Sequence, residues 1–192
     1  MLRRNSNVLL EIAETLLLAL LIFFITRLVV QNFRVEGTSM FPALEDGEFL
    51  IVNKLAYVAA EPSRGDVVVF RSPAKPDEDL VKRVVGLPSE TVEFRSGGVY
   101  VDGRRLAEDG YFPGVTGHGR SRIIVVPELG YLVLGDNRGQ SLDSRSFGVI
   151  RRASIVGKAL LVYWPPGGFG GLSVMSPTFE PVPELAGAPR AA

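Results

Sequence analysis

Cysteine is absent from the 192 residues, which excludes disulfides, thiolate metal sites and a cysteine nucleophile together. Histidine is nearly absent. His118, in the run GVTGHGR, is the single one, so a site needing several imidazoles, such as a zinc hydrolase centre, cannot be built from one chain. Excess charge is also lacking: Lys plus Arg and Asp plus Glu number 21 each. Without a summed positive field there is no counterion release to hold a polyanion, and nucleic acid is not an expected partner. No internal repeat is evident, and nothing in the composition calls for a metal or a cofactor. At 46% hydrophobic and 22% charged, the chain can bury one sizeable core.

What is present begins with a long apolar run. Residues 8–30, VLLEIAETLLLALLIFFITRLVV, are interrupted only by Glu11, Glu14, Arg27 and two threonines. As a helix this run extends about 35 Å, against a hydrocarbon core of roughly 30 Å. The charge-free centre from Thr15 to Thr26 is short enough to suit a buried helix or a signal peptide as well, so the flanks decide. Arg3 and Arg4 precede the run, but RLVVQNFR after it offers no closely spaced small residues for cleavage. Glu11, Glu14 and Arg27 lie near the ends, where long side chains reach the interface. The expectation is an uncleaved anchor over 8–30 behind a flank of 1–7, in a lipid bilayer. Basic residues lie on both sides (Arg3 and Arg4, then Arg27 and Arg34), so charge alone does not orient it.

The remainder reads as strands. EFLIVNKLAY, GDVVVF, DLVKRVVGLP, TVEFRSGGVYVDG, RIIVVPE, GYLVLGDN and SIVGKALLVYW are short, rich in valine, isoleucine and aromatics, and separated by turn residues. A mainly β domain over 31–164 follows. In TVEFRSGGVYVDG two alternating runs flank Ser96, Gly97 and Gly98, the pattern of a hairpin. Residues 104–122 are polar and glycine-rich and read as a loop or small excursion. Residues 165–192, with PPGG and PVPELAGAPRAA, read as an extended or disordered tail.

Chemistry has few places to reside. A serine activated by histidine would need His118, which sits between two glycines in a polar loop and reads as solvated. Lysine is the other base that activates serine, provided burial brings its pKa of about 10.4 toward neutrality. Period two puts Lys82 on a strand face with Leu80 and Val84, while Arg83 points opposite with Val81 and Val85. That apolar face favours the neutral amine, although a snorkelling or edge-strand lysine fits the same pattern. The third polar cluster is GDNRGQSLDSRSFG, from Gly135 to Gly148, directly after the apolar YLVL. Asp136 or Asp143 paired with Arg145 or Arg83 would hold its shape, and Ser141 could then orient a lysine.

Taken with the anchor, the stretches SMFPAL, KRVVGLP and GDNRGQSLDSRSFG resemble, in order and spacing, the motifs of type I signal peptidases, over about Asn5 to Trp164. The resemblance implies an all-β catalytic domain behind a single membrane-spanning helix. It implies Ser39 as nucleophile, Lys82 as general base, Ser141 as the lysine-orienting hydroxyl and the Ser39 backbone NH as an oxyanion donor. A serine found two residues before the nucleophile in part of that family is here Gly37. Substrates would be the signal peptides of exported preproteins, cut after a small-x-small site such as Ala-x-Ala. They would bind extended against Phe33, Val35, Met40, Leu44, Leu80 and Val81, although Phe33, Met40 and Leu44 read equally well as core. The implied location is the cytoplasmic membrane, with the catalytic domain on its outer side. Departures are Ala43 where threonine is common, SE after GLP, and Val149 where proline is frequent. Three alternatives remain at this level: a tethered β domain that binds peptides without catalysis, a Ser/Lys protease related to self-cleaving repressors, and a secreted β domain with a cleaved signal.

Overall fold

A 28-residue helix, α1 (Leu2–Val29), leads the chain, in a computed structural model that describes residues 2–95, 97–108, 121–165, 170–171 and 178–179. The helix takes in the expected flank because LRRNSNV contains no proline or glycine to stop it. Its segment Leu10–Val29 has mean hydropathy 2.2 and none of it is buried, so it is not the core helix of the body. Leucine, isoleucine and phenylalanine stand half or more exposed along it, a surface that favours hydrocarbon over water. The Thr15 hydroxyl donates to the Glu11 carbonyl at 2.8 Å, and that of Thr26 to the Ile22 carbonyl at 3.0 Å, satisfying polar groups within the helix itself.

All remaining strand pairings are antiparallel. The strands are β1 (Val30–Arg34), β2 (Phe49–Asn53), β3 (Val67–Arg71), β4 (Asp79–Gly86), β5 (Thr91–Arg95), β6 (Gly98–Val101) and β7 (Arg104–Ala107). They continue with β8 (Arg122–Val125), β9 (Gly130–Leu134), β10 (Ile150–Arg151), β11 (Ile155–Trp164), β12 (Gly170–Gly171) and β13 (Thr178–Phe179). The main sheet runs β1-β2-β11-β3-β4-β9-β10, with β12 on β11, and a second sheet runs β13-β7-β6-β5-β8. The hairpin expected around Gly97 is the β5–β6 pair, with Arg95 opposite Gly98.

Two expectations change. Residues 104–122 open with a strand, since Arg105 pairs with Tyr100. The RRLA of β7 carries little alternation, and the signal lay in the turn: Asp102 and Gly103 both have positive φ, 49° and 77°, as a tight hairpin turn requires. Residues 109–120, His118 included, lie outside the described residues. Within the expected tail, Gly170–Gly171 pairs with β11 and Thr178–Phe179 with β7; the rest of 166–192 lies outside the described residues.

The VVVF of β3 explains the layering. Val67 and Val69 enter one cluster with Val35, Met40, Leu44, Leu50 and Val52, while Val68 and Phe70 enter another with Tyr57, Val84 and Tyr131. A strand buried on both faces reads as a continuous apolar run. A third cluster, including Val85, Phe94, Leu106, Leu132 and Leu134, joins the second sheet to the first.

Candidate active site

Ser39 lies in the turn that follows β1, and Lys82 lies in the middle of β4. The Lys82 Nζ donates to Ser39 Oγ at 2.8 Å and to the Val81 carbonyl at 2.8 Å. Lys82 is only 3% exposed. Its cross-strand partner is Val68 while that of Arg83 is Val67, and those two valines belong to different clusters. The opposed facing of Lys82 and Arg83 read from the alternation is thus the observed one. Burial disfavours the ammonium form and brings the Lys82 pKa down to about 8, against the upward pull of the Asp143 and Asp136 carboxylates. About a tenth of the amine is therefore unprotonated at pH 7, far more than for an ordinary lysine.

The loop from Gly135 to Gly148 closes over this pair, and both anticipated ion pairs form in one of the two possible pairings. Arg83 grips Asp136 through two bonds, 2.8 and 2.6 Å, with both side chains almost fully buried. Arg145 grips Asp143 at 2.8 and 2.7 Å. Burial alone would raise the Asp143 carboxyl, but the bonds from Arg145 and the Gly135 amide outweigh it and hold the group below its ordinary value. Asp143 also caps the short helix α2 (Ser144–Phe147) through the Arg145 amide. The loop is stitched to the serine's own turn: the Asn137 amide donates to the Ser39 carbonyl at 3.0 Å, and the Thr38 hydroxyl to Gln140 Oε1 at 2.9 Å.

Gly135 makes this closure possible. A Cβ there would stand 2.1 Å from Ser141 Oγ and 2.5 Å from the Ser39 carbonyl oxygen, so only glycine lets Ser141 approach Ser39. The lysine-orienting bond anticipated for Ser141 is not formed. Its Oγ lies near enough to Asp143 to help stabilise that carboxylate, yet it is buried without a geometric hydrogen-bond partner; the second acceptor at the amine is the Val81 carbonyl.

Beside the pair is a groove of about 400 Å³ lined by Val35, Ser39, Met40, Leu80, Val81 and Lys82, with Arg34, Glu36, Glu78 and Asp79 at its polar edge. Four of the six anticipated wall residues line it. Leu44 is fully buried in the core, and Phe33 packs against the same cluster; apolar residues near a site look alike in sequence whether they face the core or the groove. The charged edge was missed because surface charges carry no pattern. Among the described residues β9 pairs with β4 only from Arg83 onward, which leaves Asp79 to Lys82 without a neighbour on the groove side. The Ser39 amide makes no hydrogen bond among the described residues. Gly37, at φ +82°, offers no hydroxyl, and its amide is taken by Asp46 Oδ1 at 2.7 Å.

A serine hydroxyl held against a buried, partly neutral amine at the end of a groove is the equipment of a serine hydrolase, and comparison with known proteins agrees. A family model described as signal peptidase, peptidase S26, matches residues 9–164. Signal peptidase I of Bacillus caldolyticus is 42% identical over 154 residues, 71% of this chain and 81% of that protein. Signal peptidase IB of Staphylococcus aureus strain N315 is 36% identical over 161 residues, 76% of this chain and 83% of that one. A solved signal peptidase I from Enterococcus faecalis V583 aligns at 35% identity with TM-score 0.46, over 51% of this chain and 96% of that chain. The chain belongs to the signal peptidase family, peptidase S26. It is a membrane-anchored serine peptidase that removes signal peptides from preproteins.

Proposed function

We propose that Ser39 and Lys82 carry out this hydrolysis by acyl transfer. The observation that carries the reading is the 2.8 Å contact between Lys82 Nζ and Ser39 Oγ. Neutral Lys82 removes the hydroxyl proton as Oγ attacks the scissile carbonyl, then gives a proton to the departing amine; water repeats the cycle on the acyl-enzyme. The Ser39 amide, which makes no hydrogen bond among the described residues, is left to donate to the developing oxyanion. One such donor is worth roughly 3 kcal/mol of barrier, so a second matters, and Gly37 supplies none through a side chain.

The preprotein binds as an extended strand between Val35 and the unpaired edge of β4, aligned by main-chain bonds. Val35, Met40, Leu80 and Val81 form shallow apolar pockets that exclude large side chains, consistent with cleavage after a small-x-small site. The Ser141 hydroxyl, buried and without a hydrogen-bond partner near Ser39, supports a role in assisting the amine once the proton moves. With α1 in the cytoplasmic membrane, the body stands on the outer side, where an exported preprotein presents its cleavage site.

The test is processing of a preprotein with an Ala-x-Ala site by the purified chain in detergent or lipid. Ser39→Ala and Lys82→Ala are each expected to abolish cleavage at that site. Normal processing by either variant, with contaminating peptidase excluded, would sink the reading.

A further inference from the structure

Two oppositely charged side chains outside the reaction are buried beside the site. Glu108 is 8% exposed and Arg138 is 4% exposed. Removing both charges from water is costly, and apolar residues of the same shape often serve stability as well or better. Stability alone therefore gives little reason for the pair, whereas its connections suggest a positional role.

Glu108 directly follows β7 in the second sheet, and Arg138 lies in the loop over Ser39. The Arg138 guanidinium donates to Glu108 Oε2 at 3.1 Å, also to Oε1, and through Nε to the Gly135 carbonyl at 3.0 Å. The Arg138 carbonyl accepts from Arg145 Nη2 at 2.7 Å. Arg145 in turn holds Asp143, and Asp143 accepts from the Gly135 amide at 3.0 Å. Both peptide groups flanking Gly135 are thereby fixed, one by Arg138 and one by Asp143. Gly135 is the residue on which Ser141 and the Ser39 carbonyl close, with no room for a Cβ. The residues lining the groove come from β1, the turn after it, and the segment leading into and through β4; none comes from the second sheet.

We propose that Glu108 is a positioning residue: it anchors Arg138 from the second sheet and so fixes the Gly135 peptide and the relative placement of Ser39, Ser141 and Lys82. The proposal rests on the Ser39 and Lys82 reading above. The second sheet thus takes part in catalysis without contacting substrate, and β7 is held for this task between β6 and β13.

The experiment uses the full chain in detergent with a preprotein substrate, measuring kcat and KM together with the folded fraction by circular dichroism at the assay temperature. Glu108→Gln keeps the shape and removes the charge. Its kcat is expected to fall about tenfold with KM within about twofold, because misplacement of reacting groups is felt in the chemical step. Glu108→Asp, which restores the charge, should recover most of the loss. Arg138→Lys, which cannot bridge Glu108 and Gly135 with a planar fork, should lower kcat similarly, and the double variant should be little worse than either single one. Wild-type kcat in Glu108→Gln, a loss that disappears after correction for folded fraction, or additive losses in the double variant each overturn the proposal. Ser39→Ala and Lys82→Ala run alongside. If both are inactive while Glu108→Gln matches wild type, the positioning role alone falls; if either is active, the dyad reading and this proposal fall together.

Discussion

Two lysines flank the same residue of the main sheet. Val68 of β3 pairs with Lys82 of β4 on one side and with Lys158 of β11 on the other. Residue type, strand context and position along the sheet are matched, yet their surroundings differ. The Lys158 Nζ meets the Asp66 carboxylate at 2.6 Å and retains 24% side-chain exposure. That carboxylate is itself held by the Tyr57 hydroxyl at 2.9 Å and the Ser63 amide at 3.1 Å. Lys82 meets a hydroxyl and a carbonyl, at 3% exposure. On the proposed mechanism, desolvation and neutral immediate partners suit Lys82 to act as a base, whereas a carboxylate at bonding distance makes Lys158 a structural ion-pair partner.

Breaking the comparison at its two ends should give the largest difference. Lys82→Met is expected to lower processing by about 10³-fold or more, while Lys158→Met should leave kcat within about twofold, both measured on the same preprotein. Next comes pH. Because only the neutral amine accepts the proton and burial sets its pKa at about 8, kcat/KM should climb about tenfold per pH unit below that value and level off above it. A rise that continues to the ordinary lysine value of about 10.4 would remove desolvation from the account.

Stability effects are smaller and of opposite sign at the two lysines. The folded-state pKa of Lys82 lies below its unfolded value, so the unfolded chain binds the extra proton between about pH 8 and 10.4, and stability rises with pH across that window. At pH 7 the folded state carries the desolvation cost, and Lys82→Met should raise stability by about 1–3 kcal/mol in denaturant titration. Asp66→Asn weakens the charge-assisted bond to Lys158 and should lower stability by about 1–2 kcal/mol with little change in kcat.

The parts legible in sequence were those encoded by local pattern. The period-two alternation of DLVKRVV placed Lys82 and Arg83 on opposite faces, and the dense polar loop after YLVL held the carboxylates that pair with Arg83 and Arg145. What escaped depended on contacts distant in sequence. Leu44 could not be told from Met40, because both are apolar and four residues of turn geometry decide which one faces the groove. The β7 strand was hidden in RRLA, whose pairing is specified by the Asp102–Gly103 turn more than by its own side chains. Glu108 therefore falls in a stretch that reads in sequence as a loop or small excursion, and its bond to Arg138 leaves no local pattern. The missing Lys82–Ser141 bond is a matter of hydroxyl placement at the scale of a single hydrogen bond, which spacing in sequence does not resolve.

Helix α1 ends at Val29 and β1 begins at Val30, with all five residues of β1 paired to β2. The connection contains no slack, and β1 spans only about 17 Å at roughly 3.3 Å per residue. On the proposed membrane placement of α1, the chain works as a caliper with one jaw in the lipid: its own backbone fixes the height at which it cuts, and a substrate is measured against that height before its side chains are inspected.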